Sequence, residues 1–429
     1  MSGSTRCLLL PLSAACLFLF GVCGCQRPEA PSTVVTTELD KVCNTDGLIS
    51  LREAISYAEE GDRITFADTI PGGTIMELLH GSLKIKKGIT IDAESNTNFK
   101  NCTLRIDGRG RGRVFSIKVP DGGAGVELIG MVVTGGKESD GGGIFVDRSA
   151  LTLTRMTVTG NSAASCGGGV SLFRGTLTIA ESAITGNRAD HYGGGIYNQQ
   201  GSLALADSAI VGNSAGHSGG GIYASGYTAS VANTRLVGNV AKICGGGICV
   251  REGEMTVTGS DVAENYAESG GGIAFLSHQG MTVTDSTITR NSVIESGGGI
   301  LNEGTLSVAG STIADNSAVC WQGGGICNWR NLSLAETIVS DNSARVGGGL
   351  YSTADRFTFR DTTIDGSPAV DPGTNNTVII RTDFENPIVT HGVVEIGACE
   401  FRGNRSTVRM NPVRMNRSAE DTPQEPTAE

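Results

Sequence analysis

The chain has 429 residues, a formal net charge of −11, 63 glycines and only 5% aromatic residues. That charge argues against phosphate-driven binding of DNA or RNA, since a local basic patch would have to supply the counterion-release term and none of useful size stands in the middle of the chain. The absence of a Gly-X-Y period excludes collagen; glycine and proline together, 74 residues, are too few for a disordered low-complexity chain, and 39% apolar residues can bury a core.

Residues 1–24 read as a secretory signal peptide. Arg6 is the only charge before Cys25, and an apolar stretch runs from Cys7 to Val22, interrupted by Pro11. The stretch is short and proline-containing for a membrane-spanning helix. Val22-Cys23-Gly24-Cys25 resembles a bacterial lipobox, which implies lipidation of Cys25. The alternatives are an ordinary cleaved signal and a retained membrane anchor. Residues 25–37 are Pro/Thr/Ser-rich and read as a tether between lipid and fold.

Residues 38–140 hold an N-terminal cap and the first coils. Ser50-Leu51-Arg52-Glu53 has the spacing of a capping box. Leu51, Ala54, Ile55 and Ala58 follow at helical spacing, and Gly61 stops the helix. Strands are predicted at Arg63-Ile64-Thr65-Phe66, Ile89-Thr90-Ile91 and Val126-Glu127-Leu128.

Residues 141–366 are a repeat. Triple glycines begin at Gly141, Gly167, Gly193, Gly219, Gly245, Gly270, Gly297, Gly323 and Gly347, at a step of about 26 residues. An aliphatic residue follows each triplet. An asparagine follows about 20 residues after it, from Asn161 to Asn342. Three and eight positions before each asparagine the residue is always aliphatic; ten before, it is Leu, Met or Ala. Five before, it is Ser or Thr except at Met156. Within a unit the alternation has a strand period, as in Thr176-Leu177-Thr178-Ile179. One unit cannot bury its own apolar residues, whereas stacked units can. The fold class that follows is all-β, a single-stranded parallel β-helix of one coil per repeat with an N-terminal capping helix. At ~4.8 Å per coil the repeat region makes a rod of roughly 45 Å.

The special residues fit that reading. Glycine triplets supply sharp bends. Asparagine tolerates left-handed turns, and its amide can bond to the amide one coil above. All 11 prolines lie outside 121–367, as continuous ladders require. Each buried aliphatic residue contributes at most ~1.5–3 kcal/mol. Residues 367–402 form a closing segment with a strand around Val393-Val394-Glu395-Ile396 and Phe401. The polar stretch 403–429 reads as a disordered tail.

The string Ser50-Leu51-Arg52-Glu53-Ala54-Ile55 resembles the N-terminal signature of secreted bacterial right-handed β-helix proteins. The Gly-Gly-Gly-Ile and xxxN repeats are similar to those of polymorphic outer-membrane proteins, and Glu395-Ile396-Gly397-Ala398-Cys399-Glu400 looks like an ending of the same bacterial group. The resemblance spans about 38–402. It implies a right-handed parallel β-helix on a bacterial outer membrane or cell surface. Two departures stand out: the cysteine usually just before the signature is displaced to Cys43, and the familiar aromatic of the repeat is Val, Ile or Leu here. No C-terminal β-barrel sequence follows, so a lipid anchor is expected in its place.

Exported cysteines allow disulfides. Cys244–Cys249 and Cys320–Cys327 each straddle a glycine triplet, and Cys43–Cys102 would pin the cap. The alternative is buried thiols filling narrow columns. Cys249 and Cys327, like Cys166 and Cys244, stand three coils apart, too far for a bond.

Parallel β-helices often host pectin lyases and polygalacturonases, which need clustered acids, or acids with calcium and an arginine. Here there is no Asp-Asp dipeptide; Asn44-Thr45-Asp46 precedes the repeats, His391-Gly392 lies near the far end, and Arg409 and Arg414 fall in the tail. No catalytic residue is assigned. His191 and His217 share a slot in neighbouring coils, either as exposed turn residues or as a base or metal pair. Tyr197 and Tyr223 stack just past the inward isoleucine and are expected to face out, where they would contact a sugar ring or only brace the rod. Glu181 and Asp207 form a like-charged stack that would suit calcium, solvated surface acids being the simpler reading. No cofactor is expected.

The expected function is therefore a non-enzymatic, lipid-anchored surface protein whose rod serves adhesion or matrix contact. Its expected partners are the membrane and a surface glycan or protein. The alternative is a polysaccharide lyase or glycoside hydrolase on the same fold.

Overall fold

The computed structural model describes residues 32–42, 46–100, 104–353 and 357–365, together with strands Val378–Ile380, Val394–Ile396 and Glu400–Arg402. The signal segment with Cys25, most of the tether, Cys43, Cys102, His391 and the tail lie outside the described residues.

The coils that open with Gly141 to Gly245 contain three strands each; from Gly270 onward the long first strand is split in two, as in Ile273–Phe275 and Gly280–Thr284. In the coil that opens with Gly193 the three are Ile196–Ala206, Ala209–Val211 and Ser214–Ala215. Each pairs in parallel with its equivalent one repeat on: Ile196 with Ile222, Ala209 with Arg235, Ser214 with Val240. The result among the described residues is a parallel β-solenoid of 21-, 13- and 9-stranded sheets. The aliphatic columns read from the sequence face inward. Ile196, Ile210 and their equivalents Ile222 and Leu236 are 0% exposed, and one continuous core runs from Val35 to Ile364.

The three turns of a coil are made by residues with positive φ. The first glycine of each triplet is one, as at Gly193 (φ +64°). The other two glycines are required by space. A Cβ on Gly194 would lie 2.4 Å from the Ser214 carbonyl oxygen, and one on Gly195 would lie 2.6 Å from that of Gly221. Backbone pairing nonetheless continues through the bend, with Gly194 N–H donating to Gly219 O at 3.1 Å and Ile196 N–H to Gly221 O at 2.9 Å. The repeat asparagines do not adopt the left-handed conformation expected of them. That role falls to the residue before, Gly186, Gly212 or Arg290, and to a second position such as Glu181 or Asp207. The asparagine is excluded from it because its side chain is committed inward.

That commitment is complete at Asn213, which is fully buried. Its Oδ1 accepts the backbone N–H of Asn187 at 2.9 Å and the Nδ2 of Asn187 at 3.0 Å. Its own Nδ2 donates to Asn239 Oδ1 at 3.0 Å and to the Ile184 carbonyl at 2.9 Å. All four side-chain hydrogen-bonding positions are thereby used. The same ladder runs from Asn161 to Asn342, and at its start Asn161 Oδ1 accepts from Gly136 N–H at 2.8 Å. A second ladder uses the Ser/Thr column. Ser182 N–H donates to Ser208 Oγ at 3.1 Å, while each hydroxyl donates to its own chain two residues back. The exception, Met156, keeps its place through sulfur: Met131 N–H donates to Met156 Sδ at 3.4 Å.

At the N-terminal end the helix Leu51–Tyr57 carries the complete capping box. Leu51, Ala54 and Ile55 join the core, and Arg52 grips Asp40 through two bonds of 2.7 and 3.0 Å and the Ser82 carbonyl at 3.0 Å. Burial opposes ionisation of Asp40, but Arg52 and the N–H groups of His80 and Leu79 outweigh it and hold the carboxyl below its usual range. None of the described helices is long and apolar enough to cross a membrane.

Asn213→Ala leaves the N–H of Asn187 and the amides of Asn187 and Asn239 short of partners inside the rod. A loss of ~1–3 kcal/mol per orphaned group is expected, read as a lower denaturation midpoint. Ser208→Ala, which removes one acceptor from a smaller ladder, should cost less.

Candidate functional site: the strip beneath the glycine arches

Each glycine triplet bends the chain so that the residue just before it faces the residue just after the inward aliphatic. In successive coils the first column reads Cys166, Tyr192, Ser218, Cys244 and Ser269, joined by parallel bridges. The facing column reads Ser171, Tyr197, Tyr223, Cys249 and Ala274, in register along the long strands. The two columns close on each other and form a small second core outside the coil, built on Tyr223, Cys244, Cys249 and Ala274, with Tyr192, Tyr197 and Leu276 against it.

This strip brings together six of the residues singled out from the sequence: His191, His217, Tyr197, Tyr223, Cys244 and Cys249. Tyr197 and Tyr223 stack as expected, with ring centroids 5.5 Å apart and planes within 19°. They do not face out, however. Tyr223 is only 6% exposed and Tyr197 is half-buried, because Tyr192 covers them from the other column at 4.7 and 6.4 Å. Burial pushes both phenols well above their ordinary range. His217 is half-buried rather than an exposed turn residue. Its ring lies 4.7 Å from that of Tyr192, and its Nδ1 is 2.8 Å from Ser218 Oγ. Burial, with His191 second, lowers its pKa, so it is neutral near pH 7. His191 is exposed, with its ring 6.3 Å from Tyr192.

Cys244 and Cys249 are free thiols with sulfurs 3.4 Å apart, and Ser218 Oγ lies 3.2 Å from Cys244 Sγ. The facing Cys249 draws Cys244 down to about 7 against the effect of burial, with help from Ser218 and Arg251; Cys249 itself moves well up. Cys320 and Cys327 differ in environment. Cys320 is exposed, whereas Cys327 is fully buried in a separate cluster with Leu301 and Tyr351, its thiol pushed up to about 12 by burial.

Glu181 and Asp207, the stack weighed for calcium, line a different groove together with Glu94, Arg155 and Arg235. Arg155 binds Glu94 through two bonds of 2.7 and 2.8 Å and lies 3.8 Å from Glu181, and Asn233 donates to Asp207 at 3.1 Å. Arg155 holds the Glu94 carboxyl below its usual range, away from general-acid duty. Among the described residues no three His, Cys, Asp or Glu side chains gather to hold a metal ion.

Sequence reasoning missed the chain's two tryptophans. Trp321 and Trp329 flank the triplet at Gly323 and are 58% and 43% exposed. Their rarity and confinement to one repeat were the available signal. Also missed were exposed apolar residues on and beside the sheet of shortest strands: Val240 (42%), which pairs with Tyr266 (41%), and Ile294 (46%) and Val319 (57%), each two positions further along its own coil. A shallow groove of about 410 Å³ runs beside them, lined among others by Arg188, Lys242, Tyr266, Glu268 and Ile294.

The buried phenols give the strip a pH signature. Below the unfolded tyrosine pKa of ~10 their protonated state is common to folded and unfolded chains. Above it the unfolded chain releases protons that the folded one retains, so stability falls as pH rises. Denaturation midpoints measured from neutral pH to beyond pH ~10 should decline there, and the decline should shrink in Tyr223→Phe.

Residues 220–391 match the family described as right handed beta helix region, and residues 181–199 match the Chlamydia polymorphic membrane protein repeat. The second match contains His191, Tyr192 and Tyr197 of the strip. No curated protein matches the chain. In repeat and in fold, the chain is similar to β-helix proteins of the polymorphic membrane protein kind.

Proposed function

We propose that the protein is a non-enzymatic surface rod that binds carbohydrate along the face carrying Tyr266, Ile294, Val319 and Trp321. The exposure of these large apolar side chains is the observation that carries this reading. A sugar ring has an apolar face and a rim of hydroxyls. It is matched by an exposed aromatic ring set beside hydrogen-bonding groups, here Tyr266 beside Arg188, Lys242 and Glu268. The groove volume falls within the ~300–1,000 Å³ usual for ligand sites. The polymorphic membrane protein repeat supports an outer-membrane or surface location and an adhesin-like role. Lipidation at Cys25 would tether the rod to its membrane, and the helix Leu51–Tyr57 would close its N-terminal end, where strand edges otherwise invite association.

The test is binding of the purified protein to a panel of acidic and neutral polysaccharides, with and without calcium, while new reducing or unsaturated ends are monitored. Binding without cleavage is expected, and Trp321→Ala or Tyr266→Ala should weaken it about tenfold, the effect of one anchor residue. Cleavage above a blank would overturn the non-enzymatic reading and direct attention to Glu181 and Asp207. Binding to matrix proteins alone would replace the glycan with a protein partner.

A further inference from the structure

The thiols beneath the arch at Gly245–Gly247 are not explained by the packing of the rod. In the equivalent places the other coils carry Tyr192 facing Tyr197, Ser218 facing Tyr223 and Ser269 facing Ala274, so no column demands sulfur. Only here do two cysteines face each other across a triplet, among the described residues. A continuous chain of polar hydrogens leads outward from them: Cys249 Sγ to Cys244 Sγ at 3.4 Å, Cys244 Sγ to Ser218 Oγ at 3.2 Å, and Ser218 Oγ to His217 Nδ1 at 2.8 Å. Cys244 keeps a small opening to solvent, 8% exposed, while Cys249 is 1% exposed.

We propose that Cys244 and Cys249 are an oxidisable dithiol that a peroxide converts to a disulfide across the arch, with Cys244 as the attacking sulfur and Cys249 as the resolving one. The Cys244 proton leaves through Ser218 to the neutral imidazole of His217. The Cys244 thiolate attacks one peroxide oxygen, the O–O bond breaks, and hydroxide departs and is protonated to water, leaving a sulfenic acid. Cys249 then attacks the Cys244 sulfur; its own proton and the departing hydroxide make a second water as the S–S bond forms. The two thiols lose two electrons and hydrogen peroxide gains them. The small size of peroxide suits the narrow opening at Cys244. The backbone already brings the two sulfurs together, so the bond closes the six-residue bend from Cys244 to Cys249 without moving a coil.

The test is a peptide map of the full chain after native treatment with hydrogen peroxide, then denaturing alkylation and trypsin. Lys242 and Arg251 bracket both cysteines, so residues 243–251 emerge as one peptide. The expected product is that peptide two hydrogens lighter and free of alkyl groups, restored to double alkylation by a reductant. In Cys249→Ser, a sulfenic-acid probe such as dimedone should label Cys244. Recovery of the 243–251 peptide with both sulfurs alkylated, while exposed Cys320 is oxidised, would overturn the proposal. So would over-oxidation of Cys244 with no disulfide. The wild-type map needs no variant, so it decides between these outcomes even if Cys249→Ser fails to fold.

Discussion

The constraint on which the rest depends is the hydrogen bonding of one coil to the next inside the core. A parallel solenoid must present every backbone N–H and carbonyl to a neighbour at the same height, turn after turn. The asparagine ladder extends that demand to a side chain. Asn213 binds the backbone of the coil before it and the amide of the coil after it. A single slip of register would leave buried polar groups unpaired at every step. The repeat therefore stays in phase even where its length changes: Asn291 bonds Asn316 across a step of 25 residues, against 26 at Asn187 and Asn213. The difference is taken up in the bends. Phe275 pairs with Asn302 and Gly280 with Thr305, so the chain between them is shorter in the later coil, and the ladders on either side are untouched.

Much of this was legible in the sequence, because every inward position recurs in a column. The fixed asparagine, the aliphatic residues three and eight places before it, and the triplets each gave a direct reading of what lies inside. The asparagine ladder was readable for the same reason. What was misread was the outer side of the arch. Tyr197 and Tyr223 follow an inward isoleucine and so, by strand alternation, point away from the coil. Alternation gives the side on which a residue lies but not what covers it there. The covering residue, Tyr192, belongs to the far side of the triplet, and only the three-glycine bend sets it opposite. The left-handed turn residues were misassigned for a related reason. Asparagine tolerates that conformation, but here the buried amide has a stronger claim on its geometry than the turn does.

The arches also divide the molecule by mechanical character. The coil interior is uniform, apolar and tied by ladders, and substitutions there act on the whole rod. The outer strip varies from coil to coil, from tyrosines through paired thiols to alanine and leucine, while the backbone beneath it hardly changes. Chemistry can therefore be altered on this side of the protein without altering its frame, and three side chains with shifted pKa values, His217, Cys244 and Tyr223, are found there.

Because length differences between coils fall in the bends and not in the asparagine ladder, every coil offers its neighbour the same upper and lower face. Genetic exchange between two repeats, in phase at the asparagine, would add or delete one whole coil and leave both new neighbours correctly bonded. The rod can thus change its reach, and shuffle the order of its outer side chains, by recombination alone. A surface molecule under pressure to vary would gain new outlines in this way without having to discover a new fold.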